Sequence, residues 1–228
     1  MSDAPLNPEL MPSLARLVRG LSALFWGLPV ALIVCVETAW MDSLHSFGLI
    51  PPVIVIGWLL FGLWELGHFQ KQERVWRNAL DRAKLIGLTV LCLAPFLYWW
   101  NRVPFEPLFD QMALVFLLGA ILLLSELNLV LRRLTAMLPD ETLRSETRQF
   151  TTLNRMLLLV VLASVAAYLY LDHLPPLPAW FIIGLETFKR KGLLLLILMP
   201  LAMTMALIWK TKETILDGIF KSKPRELS

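Results

Sequence analysis

Residues 48–84 read GLIPPVIVIGWLLFGLWELGHFQKQERVWRNALDRAK, and the two halves of this stretch decide the fold. From Gly48 to Phe69 the chain is apolar except for Glu65 and His68. About 20 mostly apolar residues are what an α-helix needs to cross the hydrocarbon core of a bilayer. Five basic residues then follow within a few turns: Lys71, Arg74, Arg77, Arg82 and Lys84. No Gly or Pro interrupts His68 to Lys84, and Phe69, Trp76, Leu80 and Ala83 recur at roughly helical spacing. The pattern predicts a spanning helix that projects past the membrane as an amphipathic extension with a basic outer face.

The same pattern recurs along the chain. Six segments qualify as spans, at about 17–40, 48–69, 85–100, 111–131, 154–171 and 192–209, between an N-terminal tail, 1–16, and a C-terminal tail, 210–228. Residues 85–100 are short for a span on their own. The expected fold class is therefore an all-α integral membrane protein of three consecutive hairpins with helical cytoplasmic extensions. Composition agrees: of 228 residues 57% are hydrophobic and 17% charged, against about 45–50% and about 25% in soluble domains.

Basic residues set the orientation, because cytoplasmic loops carry the excess of Lys and Arg. With the N-terminus inside, the inner segments hold Arg16 and Arg19, then the five residues above, then Arg132, Arg133, Arg144, Arg148 and Arg155, and finally Lys210, Lys212, Lys221, Lys223 and Arg225. The outer segments hold Arg102, Lys189, Arg190 and Lys191. Both termini are thus expected in the cytoplasm. Residues 1–16 carry Asp3, Glu9 and three prolines, and no small-residue cleavage site follows the first apolar run. The first helix reads as a retained anchor rather than a signal peptide. No Asn-x-Ser/Thr sequon occurs, which favours a bacterial inner membrane.

Two loops have further structure. Pro139, Asp140 and Glu141 read as a helix start, since Pro suits the first turn and acids suit the positive end of the dipole. That helix would run through Arg144, Arg148 and Arg155 into the fifth span. On the outer side, the Pro-rich run 172–178 breaks the fifth helix. The short apolar stretch 179–188 follows, headed by Trp180, and suits an interfacial helix, with a re-entrant segment or plain loop as alternatives.

Ionisable groups inside a membrane are candidates for function. Glu65 lies six residues before Lys71, and Glu126 six before Arg132; Thr204 holds the matching place before Lys210. The two acids therefore share one depth near the cytoplasmic surface. Facing each other, they could bind a cation or relay a proton; the alternative is that each snorkels or bonds a neighbouring helix. Glu37 lies near the opposite face. His68 stands three residues after Glu65, on the same face of a continuous helix. The Glu-x-x-His pair that di-iron bundles use twice occurs only once here, so no metal or other cofactor is expected. Trp58 and Trp64 sit deeper than the terminal tryptophans; bulky packing is the default reading, and facing a partner the alternative. Pro29, Pro95 and Pro200 read as kinks, and Ala163/Ala167 and Ala202/Ala206 as small faces on which the last two helices pack. Cys35 and Cys92 read as small apolar residues.

Three functions follow. The first is a non-enzymatic subunit or scaffold of a membrane complex, docking protein partners through its cytoplasmic helices and Trp-bearing faces. The second is a small ion- or proton-coupled transporter or channel built on Glu65 and Glu126, with Trp64, His68 and Thr204 as accessories. The third, ranked last, is a lipid-modifying enzyme with Glu65, His68 and Arg74 as its cluster. The basic loops suit anionic lipid headgroups and not nucleic acid.

Overall fold

A computed structural model describes residues 10–40, 47–69, 73–103, 106–137, 141–171 and 193–222. The expected interfacial helix at 179–188 lies outside these residues. Each described segment is built on one helix: α1 (Leu10–Trp40), α2 (Ile50–Leu66), α3 (Arg74–Arg102), α4 (Pro107–Ala136), α5 (Glu141–Leu171) and α6 (Leu193–Ser222). No strand occurs among the described residues. Helices α1, α3, α4 and α5 are long and apolar enough to cross a membrane; α2, at 17 residues, is apolar but shorter. The chain is a helical membrane protein.

Local chemistry explains the helix ends. Pro51 and Pro52 stand in the first turn of α2, and Pro107 opens α4; proline's missing N–H is no loss there and its φ is already helical. Asp110 in the first turn of α4 and Arg133 in its last turn complement the helix dipole. Glu141 begins α5, which continues through Arg144, Arg148 and Arg155 without a break, as the sequence predicts. Pro29, Pro95 and Pro200 all lie inside continuous helices.

Consecutive helices pack antiparallel, and glycines set their registers. A Cβ on Gly20 of α1 would lie 2.8 Å from the Gly62 carbonyl oxygen of α2, and one on Gly27 would lie 2.8 Å from Leu59 Cδ2. A Cβ on Gly87 of α3 would meet Leu60 of α2 at 2.7 Å and Leu123 of α4 at 3.6 Å, while one on Gly119 would meet Val90 at 3.0 Å. At the opposite end Asn101 Nδ2 donates to the Thr38 carbonyl (3.4 Å), and Trp100 Nε1 to Asp110 Oδ1 (2.6 Å). The ring closes where Phe25 of α1 and Trp209 of α6 come within 5.6 Å. Leu17, Leu21, Leu24, Leu63, Leu66, Leu80, Val90, Leu131, Leu134 and Ile208 are buried within this ring.

Two expectations are corrected. The basic amphipathic stretch continues α3, not α2: α2 stops at Leu66, the Gly67 and His68 N–H groups bond back to the Trp64 and Glu65 carbonyls, and α3 begins at Arg74. Trp76, Ala79, Leu80 and Ala83 still form one buried face, so the spacing was helical but silent about which span it extends. The alanine faces also differ from expectation. Ala163, Ala167, Ala202 and Ala206 are exposed, and α5 turns Leu158, Val161 and Val165 inward instead. Branched side chains bury more apolar area than alanine does, and polar contacts described below draw α5 and α6 together.

Candidate polar site in the bundle

Glu65 leaves α2 against α1, its Cβ 3.1 Å from where a Gly20 Cβ would stand. Gly20 is thus what gives the acid room. Glu126 lies two helical turns, seven residues, beyond Gly119 and so on the face of α4 that meets Val90 of α3. One carboxylate oxygen of each acid is buried and accepts no hydrogen bond. Leu60 and Leu123 both reach Gly87. Glu65 is five residues past the first and Glu126 three past the second, so at ~1.5 Å per residue their depths agree to within ~3 Å. The acids share a level but emerge toward different neighbours: α2 packs on α1 and α3, and α4 on α3, α5 and α6.

The accessory residues are distributed differently. His68 follows the end of α2, and its ring Nδ1–H donates to the Trp64 carbonyl (3.2 Å). It closes the last turn of the helix and does not extend the helical face carrying Glu65. The Trp64 side chain points outward, with the Lys84 ammonium 5.4 Å from its ring centroid. Arg74 begins α3 and is exposed.

Thr204 of α6 lies at the centre of a buried polar cluster. Asn128 of α4 donates to its hydroxyl oxygen at 3.0 Å, and Asn154 of α5 donates at 2.9 Å. The hydroxyl donates in turn to the Pro200 carbonyl at 2.8 Å, and Asn128 Nδ2 also donates to the Leu124 carbonyl at 2.7 Å. All three residues are at most 4% exposed. A threonine hydroxyl offers one donor and two acceptor sites, so Thr204 is saturated. Asn154 Oδ1 remains buried without a partner, as do the hydroxyls of Thr147 and Thr151. These three share one face of α5 at intervals of four and three residues. The face leads from the cluster toward the Glu146–Lys210 ion pair that joins α5 to α6 at the surface. Polar atoms so placed can hold water or a small cation. Among the described residues no three of His, Cys, Asp and Glu converge to hold a metal.

Sequence reasoning reached Thr204 by its distance from Lys210 but passed over Asn128 and Asn154. An asparagine within or beside an apolar run is itself the available signal, since its amide must find a partner in hydrocarbon. Which helices supply that partner is a matter of packing. No family model, no curated protein and no solved structure matches the chain.

Proposed function

We propose that the chain is a non-enzymatic subunit or scaffold of a membrane complex, spanning a bacterial inner membrane six times with both termini in the cytoplasm. The observation that carries this reading is Trp58, the middle residue of α2, whose side chain is 40% exposed on the outside of the bundle. Tryptophan favours the membrane surface, where its indole N–H finds acceptors. At mid-span, ~12 Å from either helix end, lipid tails offer none, and an unpaired N–H in hydrocarbon is costly. Gly57 beside it has open space, a Cβ there meeting nothing within 4 Å. A notch next to an aromatic donor suits the close approach of another protein's spanning helix. Ile54 and Phe61 extend the same exposed stripe.

A photo-reactive residue placed at Phe61 in native membranes should crosslink to one discrete protein, and the same residue at Leu159 on α5 should not. Gly57→Leu should abolish the Phe61 crosslink. Equal labelling at both positions, or lipid adducts alone, would refute the docking face.

A second reading rests on the buried, unpartnered carboxylate oxygens of Glu65 and Glu126. A cation or proton could occupy either, which supports ion-coupled transport. Glu126→Gln should then abolish flux in reconstituted vesicles; flux that survives this change, or is missing from the parent protein, removes the proposal.

A further inference from the structure

At the basic end of the α2–α3 hairpin a pocket of about 220 Å³ opens between Gly67, Phe69, Trp76, Arg77, Asp81 and Lys84. Its wall includes Trp76, which is 1% exposed and whose indole Nε1–H has no acceptor. Leaving such a donor buried and unpaired is costly. Two cations, Arg77 and Lys84, face one carboxylate, Asp81, so the lining is net positive. Gly67 leaves room for the Lys84 ammonium in the pocket wall, since a Cβ there would stand 2.7 Å from its nitrogen.

The outer surface of α3 fixes the level of this pocket. Arg77, Asp81 and Arg82 are exposed on one side of Lys84, and Leu85 and Leu88 are exposed on the other. The change from charge to hydrocarbon falls between Lys84 and Leu85, where headgroups meet acyl chains. Trp64, exposed on α2 beneath Lys84, suits the same boundary.

We propose that this pocket binds the phosphate of an anionic phospholipid headgroup, an assignment that rests on the membrane reading of the fold but not on the docking face of α2. Arg77 and Lys84 supply charge, and a small turn of the Trp76 ring would bring its unpaired N–H to a phosphate oxygen. Asp81, out of place in a site for phosphate alone, accepts from a headgroup hydroxyl. The headgroup that fits is therefore a glycerophosphodiester bearing free hydroxyls, as in phosphatidylglycerol.

The test is thermal unfolding of the full chain in neutral detergent, titrated with phosphatidylglycerol, phosphatidylcholine or soluble glycerol phosphate. Phosphatidylglycerol should raise the midpoint and phosphatidylcholine should not. Arg77→Gln, an exposed change that spares the core, should weaken the response about tenfold, and Trp76→Phe, which removes the N–H together with part of the buried ring, should do the same when its lipid-induced shift is read against its own lipid-free midpoint. Arg133→Gln, an equally exposed cation on α4, should leave it unchanged. Stabilisation by glycerol phosphate at similar concentration supports the site and assigns its phosphate to a soluble ester. A response equal for the two lipids, or weakened as much by Arg133→Gln as by Arg77→Gln, would overturn the proposal.

Discussion

A hydroxyl has one hydrogen to give and two lone pairs to fill, and Thr204 uses all three on partners from α4, α5 and its own helix. Valine has nearly the same shape and none of this capacity. Thr204→Val should leave the Asn154 amide buried without an acceptor, while Asn128 keeps the Leu124 carbonyl. A loss of about 1–3 kcal/mol is expected in denaturant unfolding from micelles, with Thr204→Ser close to the parent. A valine variant as stable as the serine one would show the cluster contributes little. The Glu146–Lys210 pair joins the same two helices, but its side chains are 42% and 48% exposed. Exposed pairs contribute ~0–1 kcal/mol, so Glu146→Gln should shift the same transition by less than Thr204→Val does; the reverse order would mean the surface pair, not the cluster, holds α5 to α6. None of this ranking is legible in the sequence, where Asn128, Asn154 and Thr204 stand far apart as single polar residues in apolar surroundings. Depth could be counted from the nearest basic residue, and the shared level of Glu65 and Glu126 was legible in that way. Direction could not, because a helix face acquires a neighbour only when the bundle packs.

Helix pairs meet through glycine in two contrasting ways. At Gly20 the nearest obstacle to a side chain is backbone, the Gly62 carbonyl at 2.8 Å, with Glu65 Cβ at 3.1 Å. Backbone cannot swing aside, so Gly20→Ala must push α1 from α2, at about 1–3 kcal/mol. At Gly57 the space is empty, and alanine there should be neutral or stabilising by ~0.5–1 kcal/mol through its helix propensity. Unfolding of the two variants side by side tests this; equal effects would mean that close helix approach is not what Gly20 provides. The elements themselves were readable because 20-residue apolar runs and 3.6-residue spacing are local properties. Where one helix stops was harder. Gly67, His68 and Phe69 lie in a run with no proline, and the turn that ends α2 is fixed by backbone bonds to Trp64, Glu65 and Leu66. The helical spacing of Trp76, Leu80 and Ala83 continued across that turn on paper, and in the fold it belongs to α3 alone.

Taken whole, the molecule is a ring of antiparallel helices that overrun the apolar layer chiefly at one end. Basic side chains gather there: Arg77 and Arg82 on α3, Arg132 and Arg133 on α4, Arg144 and Arg148 on α5, Lys210 and Lys212 on α6. Antiparallel packing forces these ends together, since the start of α3 and α5 lies beside the finish of α4 and α6. The other end carries Trp40, Trp99, Trp100 and the single exposed cation Arg102 among the described residues. Loops and helix ends rich in Lys and Arg stay on the cytoplasmic side of a membrane, which orients such a molecule one way. The orientation is checked with single cysteines in a background lacking Cys35 and Cys92. Glu106→Cys, exposed at the start of α4, should react with a membrane-impermeant maleimide in intact cells. Arg148→Cys, exposed near the start of α5, should react only after the membrane is opened. Reaction of both in intact cells would refute the proposed six-span topology, and reaction of Arg148→Cys alone would invert it. In that inverted case the pocket beside Trp76 would face the outer leaflet, and the lipid it holds would have to be drawn from there.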